Sequence, residues 1–343
     1  MNSKQVSLAL FFVALAAFAV VLGYFFRLTA KRSAKLRREV NIIVYAPKSF
    51  IDPFGPGEEI KSDFEKKCDC TVDYVDMGGA LAAIQKMKLD PKRRVDVVVG
   101  VDLLDLQKVF TSVKVQQIDL PWVKFKQEIK PLVFPRFVPY DWSPMGFVYR
   151  KGEVQPSASL ADFLKNAPQK SLVLEDPELS SAGLEWLYWI FQATPNPAAA
   201  LQALHQATET VAPTWSNAYG LFKNNQAKIA FSYLTSVVYH RTVEKDNRYQ
   251  FMSFKEGHPA QIEYAFVPDS CWSCDTAKQF IVNLLSVSTQ KLLAEKNYMF
   301  PVVKHVPLSK EFQELPKVKV FGPERLQDFE RHQGELIKSW NSL

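Results

Sequence analysis

The sequence predicts an α/β fold of two joined lobes, preceded by one N-terminal hydrophobic helix. Short apolar runs alternate with segments of helical spacing along residues 41–339, an order typical of a parallel or mixed sheet covered by helices. With 343 residues, the chain is long enough for two lobes with hydrophobic cores. No internal repeat or low-complexity linker interrupts the alternation, which favours intimately joined lobes over separate domains.

The predicted strands are short runs rich in apolar and β-branched residues. The run 95–100 is mostly Val and is typical of the middle of a parallel sheet, where both faces of a strand are buried. The predicted strands are 41–45, 71–75, 95–100, 137–140, 145–149, 172–174, 229–233 and 261–267.

In the predicted helices, apolar residues recur three or four positions apart. Ile60 and Phe64, for example, share one face of the segment 58–67. The predicted helices are 58–67, 81–89, 160–166, 183–192, 198–207, 237–244, 276–285, 290–295 and 323–339.

Residues 6–26 form an almost entirely apolar stretch of 21 residues, long enough to cross a bilayer core of about 30 Å. One interpretation is a signal peptide with a small-x-small cleavage site at 17–19, and the other is an uncleaved anchor. The basic run 27–38 favours a cytoplasmic body, whereas cysteine usage favours an exported one. We expect export, with the segment retained as an anchor.

The net charge of +6 comes from the start of the chain. Residues 1–39 hold seven Lys/Arg and one Glu, so residues 40–343 hold 35 basic and 35 acidic residues. A nucleic-acid-binding body needs a surplus of positive charge to neutralise phosphates. We therefore expect no nucleic-acid partner.

The four cysteines form two close pairs, Cys68 with Cys70 and Cys271 with Cys274. Together they could form a four-thiolate zinc site, and the second pair could be a redox C-x-x-C motif. The interpretation we favour is two local structural disulfides in an oxidising compartment.

The sequence lacks the common nucleotide-binding and hydrolase motifs. G-x-G-x-x-G, G-x-x-x-x-G-K-[ST], G-x-S-x-G and H-E-x-x-H are all absent, and the five His residues are scattered without ligand spacing. These observations favour a binding protein over an enzyme, with no cofactor and no bound metal.

Aromatic residues occur beside turn residues in the segments 215–220, 232–239 and 297–301. On loops at strand ends, such side chains can stack on a flat or cationic ligand, although they can also be ordinary core residues. Ser180 and Ser181 precede the predicted helix at 183 and could form either an anion site or a simple N-cap.

A series of short motifs runs in order through the body of the chain. They include Ser49-Phe50, Gly55-Pro56-Gly57, Cys68-Asp69-Cys70, Asp96-Val97-Val98, Asp176-Pro177, Trp215-Ser216, Ser232-Tyr233, Glu256-Gly257-His258 and Pro301-Val302. In this order the chain resembles the periplasmic thiamine-binding proteins of ABC importers, which have the type II solute-binding fold. The similar segments cover roughly 300 residues, from Val44 to the C-terminal helix.

The resemblance implies two lobes that are joined by crossing strands and close on a ligand in the cleft between them. The first lobe would comprise 40–138 and 252–343, the second 139–251, and residues 1–39 would be the signal or anchor. It further implies a periplasmic protein that delivers its ligand to an ABC permease, and an uncleaved segment 6–26 would tether it to the inner membrane. The implied ligand is thiamine, thiamine monophosphate or thiamine diphosphate.

The resemblance also implies eight ligand-binding residues. Asp102 would face the ligand from the first lobe, as acceptor for the aminopyrimidine or partner for the cation. Ser180 and Ser181 would bind the hydroxyethyl or phosphate end at a helix N-terminus. The cleft would also be lined by four aromatic residues and one serine, with Tyr239 and Tyr298 stacking on the ligand's rings: Trp215, Tyr233, Ser236, Tyr239 and Tyr298.

Four positions depart from the family pattern. The usual Tyr-Asp pair after the first strand is replaced by Pro47-Lys48, and Phe54 and Tyr298 stand where Trp is expected. Inside the cleft, Lys48 would repel thiamine's cation and favour a phosphate.

Four alternatives remain open at this stage. Proteins of the same fold bind ferric iron, for which Tyr233 and Tyr239 would be ligands, or polyamines. A thiaminase-like enzyme would need a reactive Cys in the cleft. An anchored domain could also have kept the fold for sensing or scaffolding.

Overall fold

The computed structural model describes residues 21–25, 27, 40–322 and 324–343. Of the predicted apolar segment 6–26, only 21–25 lies within these residues. Among the described residues, no helix has the length and apolar character needed to cross a membrane.

One mixed sheet runs through the described part of the chain. Its ten strands are β1 (Asn41–Ala46), β2 (Thr71–Asp76), β3 (Val97–Asp102), β4 (Val138–Arg150), β5 (Leu172–Glu175), β6 (Thr208–Ala212), β7 (Ile229–Tyr233), β8 (Tyr249–Phe251), β9 (Ala260–Phe266) and β10 (Phe300–Pro301). The strand order is β2-β1-β3-β9-β4-β7-β5-β6, and β8 and β10 also pair with β4. The β1 pairs with β2 and β3 are parallel, as are the β5 pairs with β6 and β7, whereas β4 and β9 run antiparallel to their neighbours.

Helices cover this sheet. Within 40–322 and 324–343 they are α1 (Lys48–Ile51), α2 (Gly57–Cys68), α3 (Ala80–Leu89), α4 (Leu106–Ser112), α5 (Leu160–Asn166), α6 (Ser181–Ala193), α7 (Pro197–Ala207), α8 (Trp215–Lys223), α9 (Ser236–Tyr239), α10 (Cys274–Leu284), α11 (Val287–Lys296), α12 (Lys310–Gln313) and α13 (Leu326–Asn341). Four of them begin at an N-cap whose side chain accepts a hydrogen bond from the backbone N–H three residues on. These N-caps are Ser159, Asn196, Thr214 and Ser286.

The strand β4 connects the two halves of the sheet. Two separate strands were predicted here, 137–140 and 145–149. That prediction is wrong: β4 is continuous and exchanges its main partner near Pro144. Its first half pairs with β9 as far as Pro144, and β7 takes over from Met145.

Each half of the sheet has its own core. In the first half, α2 and α10 pack on the sheet through the edge-to-face rings of Phe64 and Phe280, 5.2 Å apart. In the second half, the fully buried Trp186 and Trp189 of α6 pack among apolar side chains of β4, β5 and β7.

The helix α13 packs on the second half. Phe329 contacts Tyr188 at 5.2 Å and Trp340 contacts Trp186 at 4.8 Å. The predicted lobe boundaries, which assign 252–343 to the first lobe, remain a prediction. Within this range, α13 contacts the second half of the structure.

Both cysteine pairs form the predicted local disulfides, Cys68–Cys70 and Cys271–Cys274. The second disulfide loop is anchored by the buried carboxylate of Asp96. This carboxylate accepts hydrogen bonds from the backbone N–H groups of Ile43, Trp272 and Ser273 and from Arg94 Nε. The loop is thereby joined to the start of β1.

Candidate ligand-binding cleft

A cavity of about 760 Å³ lies between the two halves of the structure. Residues just after β1, and Gly100 near the end of β3, line one wall. The N-termini of α6 and α8 line the other wall. Carboxyl ends of strands and helix N-termini are the usual positions of ligand sites in α/β folds.

Seven of the eight predicted site residues line this one cavity. They are Ser180, Ser181, Trp215, Tyr233, Ser236, Tyr239 and Tyr298. Lys48, which departs from the family pattern, lines it as well.

The eighth predicted site residue, Asp102, does not line the cavity. Its side chain is buried, and one carboxylate oxygen accepts a hydrogen bond from the backbone N–H of Leu104 at 2.9 Å. Asp102 ends β3 and caps the 3-10 turn Leu103–Asp105 behind the cavity, and its role at the ligand stays a prediction.

The two serines at the start of α6 have different environments. Ser180 is the N-cap residue, but its hydroxyl does not cap the helix. The Ser181 hydroxyl donates to Asp105 Oδ2 at 2.7 Å, which links α6 to the first half of the structure. Gly183 lets this helix start pass against the carbonyl of Asp176, where a Cβ atom would overlap.

The aromatic segment at 215–220 was predicted to be a loop, and this is wrong. It forms α8, because Thr214 caps the helix and Ala218, Tyr219 and Phe222 give it a buried face. Gly220 suggested a turn from the sequence but lies inside the helix.

Trp215, at the start of α8, is fixed by three neighbours. Its ring stacks on Tyr219 with centroids 5.0 Å apart and contacts Tyr233 at 5.3 Å. Its indole N–H donates to the Ser232 hydroxyl, which also bonds the Ser236 hydroxyl, each at 2.9 Å. The packing and the hydrogen bonds fix the ring at the cavity wall.

Tyr239 and Tyr298 meet edge to face, with centroids 5.4 Å apart. The ammonium of Lys223 lies 4.9 Å from the Tyr239 ring centroid and pairs with Glu244 Oε1 at 2.7 Å. Glu244 also bonds His240 Nδ1 at 2.6 Å. Lys223 thus places a cation on a face of the tyrosine predicted to stack on the ligand.

The cavity floor is formed by Tyr233, Gln261, Glu263 and Asn297, which bond one another or the residues behind them. Tyr233 donates to Gln261 Oε1 at 3.0 Å, and Tyr140 donates to Glu263 Oε2 at 2.7 Å. Asn297 donates to Asp141 Oδ2 at 2.7 Å. Burial raises the pKa of Asp141 well above its usual value, and the neighbouring Glu263 raises this pKa further.

Among the cavity-lining residues that sequence reasoning missed are four with polar or charged side chains, namely Lys223, Gln261, Glu263 and Asn297. The signal for two of them was present: Gln261 and Glu263 alternate with Ile262 and Tyr264 in a strand that is otherwise buried. The other two are brought to the cavity by tertiary packing. Within the described part of the chain, no group of three or more His, Cys, Asp or Glu side chains is arranged to hold a metal ion.

Residues 42–298 match the family described as bacterial extracellular solute-binding protein. The thiamine-binding periplasmic protein of Brucella melitensis is 35% identical over 282 residues, covering 80% of this chain and 84% of that protein. The thiamine-binding periplasmic protein of Escherichia coli K12 is 30% identical over 288 residues, covering 80% and 85%.

Solved structures show the same similarity. A periplasmic thiamin binding protein matches with a TM-score of 0.80 and 27% identity, over 88% of this chain and 95% of that one. The ferric binding protein from Campylobacter jejuni matches with a TM-score of 0.73 over 88% and 98%, but at 16% identity it shares the fold alone.

Proposed function

The chain belongs to the bacterial extracellular solute-binding protein family, and we propose that its cleft captures thiamine or a thiamine phosphate for an ABC permease. The predicted type II fold and the resemblance to periplasmic thiamine-binding proteins are confirmed by the relatives. Membership of this family also confirms the expectation of a binding protein and not an enzyme.

The observation that carries the proposal is that several aromatic rings and one carboxyl group, that of Glu263, line the same cavity. Trp215, Tyr239 and Tyr298 offer faces or edges to a flat ring, and each cation–π contact contributes about 0.5–2 kcal/mol. Glu263 offers an acceptor on the floor. A thiazolium cation linked to a flat pyrimidine fits such a set.

Other residues of the cavity wall support binding of a phosphate. Ser180 and Ser181 open a helix of 13 residues, whose free N–H groups favour an anion. Lys48 and Lys223 add positive charge from opposite walls. We propose that thiamine phosphates bind with the phosphate between these lysines and the start of α6.

Two further parts of the proposal concern location and delivery. Named relatives are periplasmic, and the disulfides suit an oxidising compartment. We propose that the protein acts in the periplasm, held at the inner membrane by residues 6–26, where it meets its permease.

The test is intrinsic fluorescence titration of the purified protein with thiamine, its monophosphate and its diphosphate. The signal change is expected to disappear in Trp215→Phe and to persist in Trp122→Phe, because Trp122 is 63% exposed and outside the cavity wall. Putrescine and ferric citrate test the two other ligand classes bound by this fold. Saturable binding of either of these, without binding of any thiamine compound, would refute the proposal.

A further inference from the structure

Three carboxyl groups lie side by side across three neighbouring strands. Glu263 of β9 pairs in register with Asp102 of β3 on one side and with Asp141 of β4 on the other. Side chains of directly paired residues extend from the same face of a sheet, with Cβ atoms about 4.5–5.5 Å apart. We call Asp102, Glu263 and Asp141 the acid row.

The acid row has no positive partner among the described residues. No Lys or Arg in this part of the chain forms an ion pair with any of its members, and the nearby Lys108 pairs with Asp105 at 3.2 Å. Asp102 Oδ2 and Asp141 Oδ1 are buried without a hydrogen-bond partner. Glu263 reaches the cavity, while the other two lie behind it.

The groups that surround the acid row are acidic or phenolic. Glu185 of α6 and Asp105 of the 3-10 turn lie near Asp102, while Tyr140 and Asn297 bond Glu263 and Asp141. The titratable and charged groups around the row, from all packed elements, are Asp105, Lys108, Tyr140, Glu185, Tyr233 and Tyr264.

Like charges on directly opposite strand positions repel one another, and burial disfavours an ionised carboxylate. Burial first, and the neighbouring carboxylates after it, raise the pKa of Asp102 and Asp141, which favours their protonated forms in the empty protein. A cation bound over Glu263 lowers the pKa values of the row, because an opposite charge nearby favours the ionised form of a carboxyl group.

We infer that the acid row is the counter-ion of a cationic ligand and gives up a proton when that ligand binds. The inference rests on the proposed function and deepens it. The carboxyl O–H bond breaks, the proton passes to solvent buffer, and the carboxylate remains beneath the ligand's positive charge. Binding thereby keeps the site's net charge constant.

Proton release makes affinity depend on pH. Because the proton leaves on binding, affinity increases with pH, by up to tenfold per unit for one proton. The increase stops above the range in which the empty row is protonated. A ligand without a cation gains nothing from ionisation of the row.

The test is isothermal titration of the purified full-length chain with thiamine, in buffers of different ionisation enthalpy at one pH near neutrality. Thiamine is the probe because its thiazolium charge is permanent and it has no phosphate that titrates. The slope of observed enthalpy against buffer ionisation enthalpy is expected to show release of about one proton per ligand. Binding with zero slope, or with proton uptake, would overturn the inference while leaving the proposed function intact.

Variants identify the carboxyl groups that release the proton. Glu263→Gln and Asp141→Asn are each expected to reduce the released proton by at least half and to weaken thiamine binding. Glu175→Gln is the matched control, a buried acid outside the row and the cavity wall, and is expected to keep the release. Equal release in all three variants would overturn the assignment.

Infrared difference spectroscopy of the unmodified protein provides a readout that does not depend on variants that fold. Thiamine is expected to remove a protonated-carboxyl band and add a carboxylate band, and an unchanged carboxyl region would contradict the inference. Absence of any binding heat in every buffer would instead refute the proposed function, and with it this inference.

Discussion

Replacing Lys223 by Met is expected to change which form of the ligand the cleft prefers. The Lys223 ammonium lies 4.9 Å from the Tyr239 ring centroid, and its side chain is 35% exposed. A thiazolium ring stacked on Tyr239 would therefore meet a like charge, whereas a phosphate would meet an attractive one. The change to Met keeps the aliphatic packing and removes only the charge.

The size of the effect follows from this geometry. Two charges 4 Å apart interact by about 1 kcal/mol in water and about 4 kcal/mol near a protein surface. Because Glu244 partly neutralises Lys223 and solvent reaches it, we take about 1 kcal/mol for each ligand. Thiamine is then expected to bind about fivefold more tightly and the diphosphate about fivefold more weakly, a change of about 25-fold in their ratio.

Calorimetric titration of both ligands into Lys223→Met measures this ratio. Lys228→Met is the matched control, since Lys228 is exposed on the same half of the structure and outside the cavity wall. An unchanged ratio, or weaker binding of both ligands by the same factor, would refute the assignment of Lys223 to the ligand's charged end.

Three further predictions concern stability. Gly183→Ala is expected to lower the free energy of unfolding by about 1–3 kcal/mol, because its Cβ would overlap the Asp176 carbonyl. Gly220→Ala in α8 has open space around the new Cβ and is expected to raise the free energy of unfolding by about 0.5–1 kcal/mol. Thermal unfolding of the two variants compares these effects. Burial lowers the pKa of His258 to about 4, whereas the pKa of this side chain in the unfolded chain is near 6.5. The unfolded state therefore binds more protons, and the free energy of unfolding falls by up to about 3 kcal/mol as the pH drops from about 6.5 to 4. Urea unfolding of His258→Gln should show a shallower pH dependence, and an equal dependence would contradict this. Asp96→Asn is expected to cost about 2–4 kcal/mol, because an amide cannot accept from all four donors that the carboxylate binds; an unchanged urea midpoint would contradict that role.

Local patterns predicted much of the fold. The helix α5 and the strand β7 begin and end where their apolar spacing predicts. The errors in the predicted elements occur where contacts between distant segments decide the structure and the local sequence pattern does not. In β4 the apolar runs 137–140 and 145–149 were predicted as two strands, yet they form one strand that changes its main partner after Pro144.

The candidate site was predicted unevenly for a similar reason. Aromatic and hydroxyl residues next to strand and helix ends were found by type and by the ordered motifs, and they do line one cavity. Asp102 was assigned to the ligand by the family resemblance alone, and its side chain caps the following 3-10 turn. Lys223 ends a helix that the sequence did not predict, so its approach to Tyr239 had no signal in the sequence.

The measurement that tests the central claim most directly is isothermal titration of the purified protein with thiamine, in parallel with Tyr239→Ala and the control Trp122→Ala. The account predicts sub-micromolar binding, stronger than about −8 kcal/mol, for the unmodified protein and for the control. Tyr239→Ala is expected to lose at least the 0.5–2 kcal/mol of a cation–π contact, about 2–30-fold in affinity. Thiamine binding that is unaffected by Tyr239→Ala would contradict the cleft assignment, and no binding of thiamine or its phosphates would contradict the function.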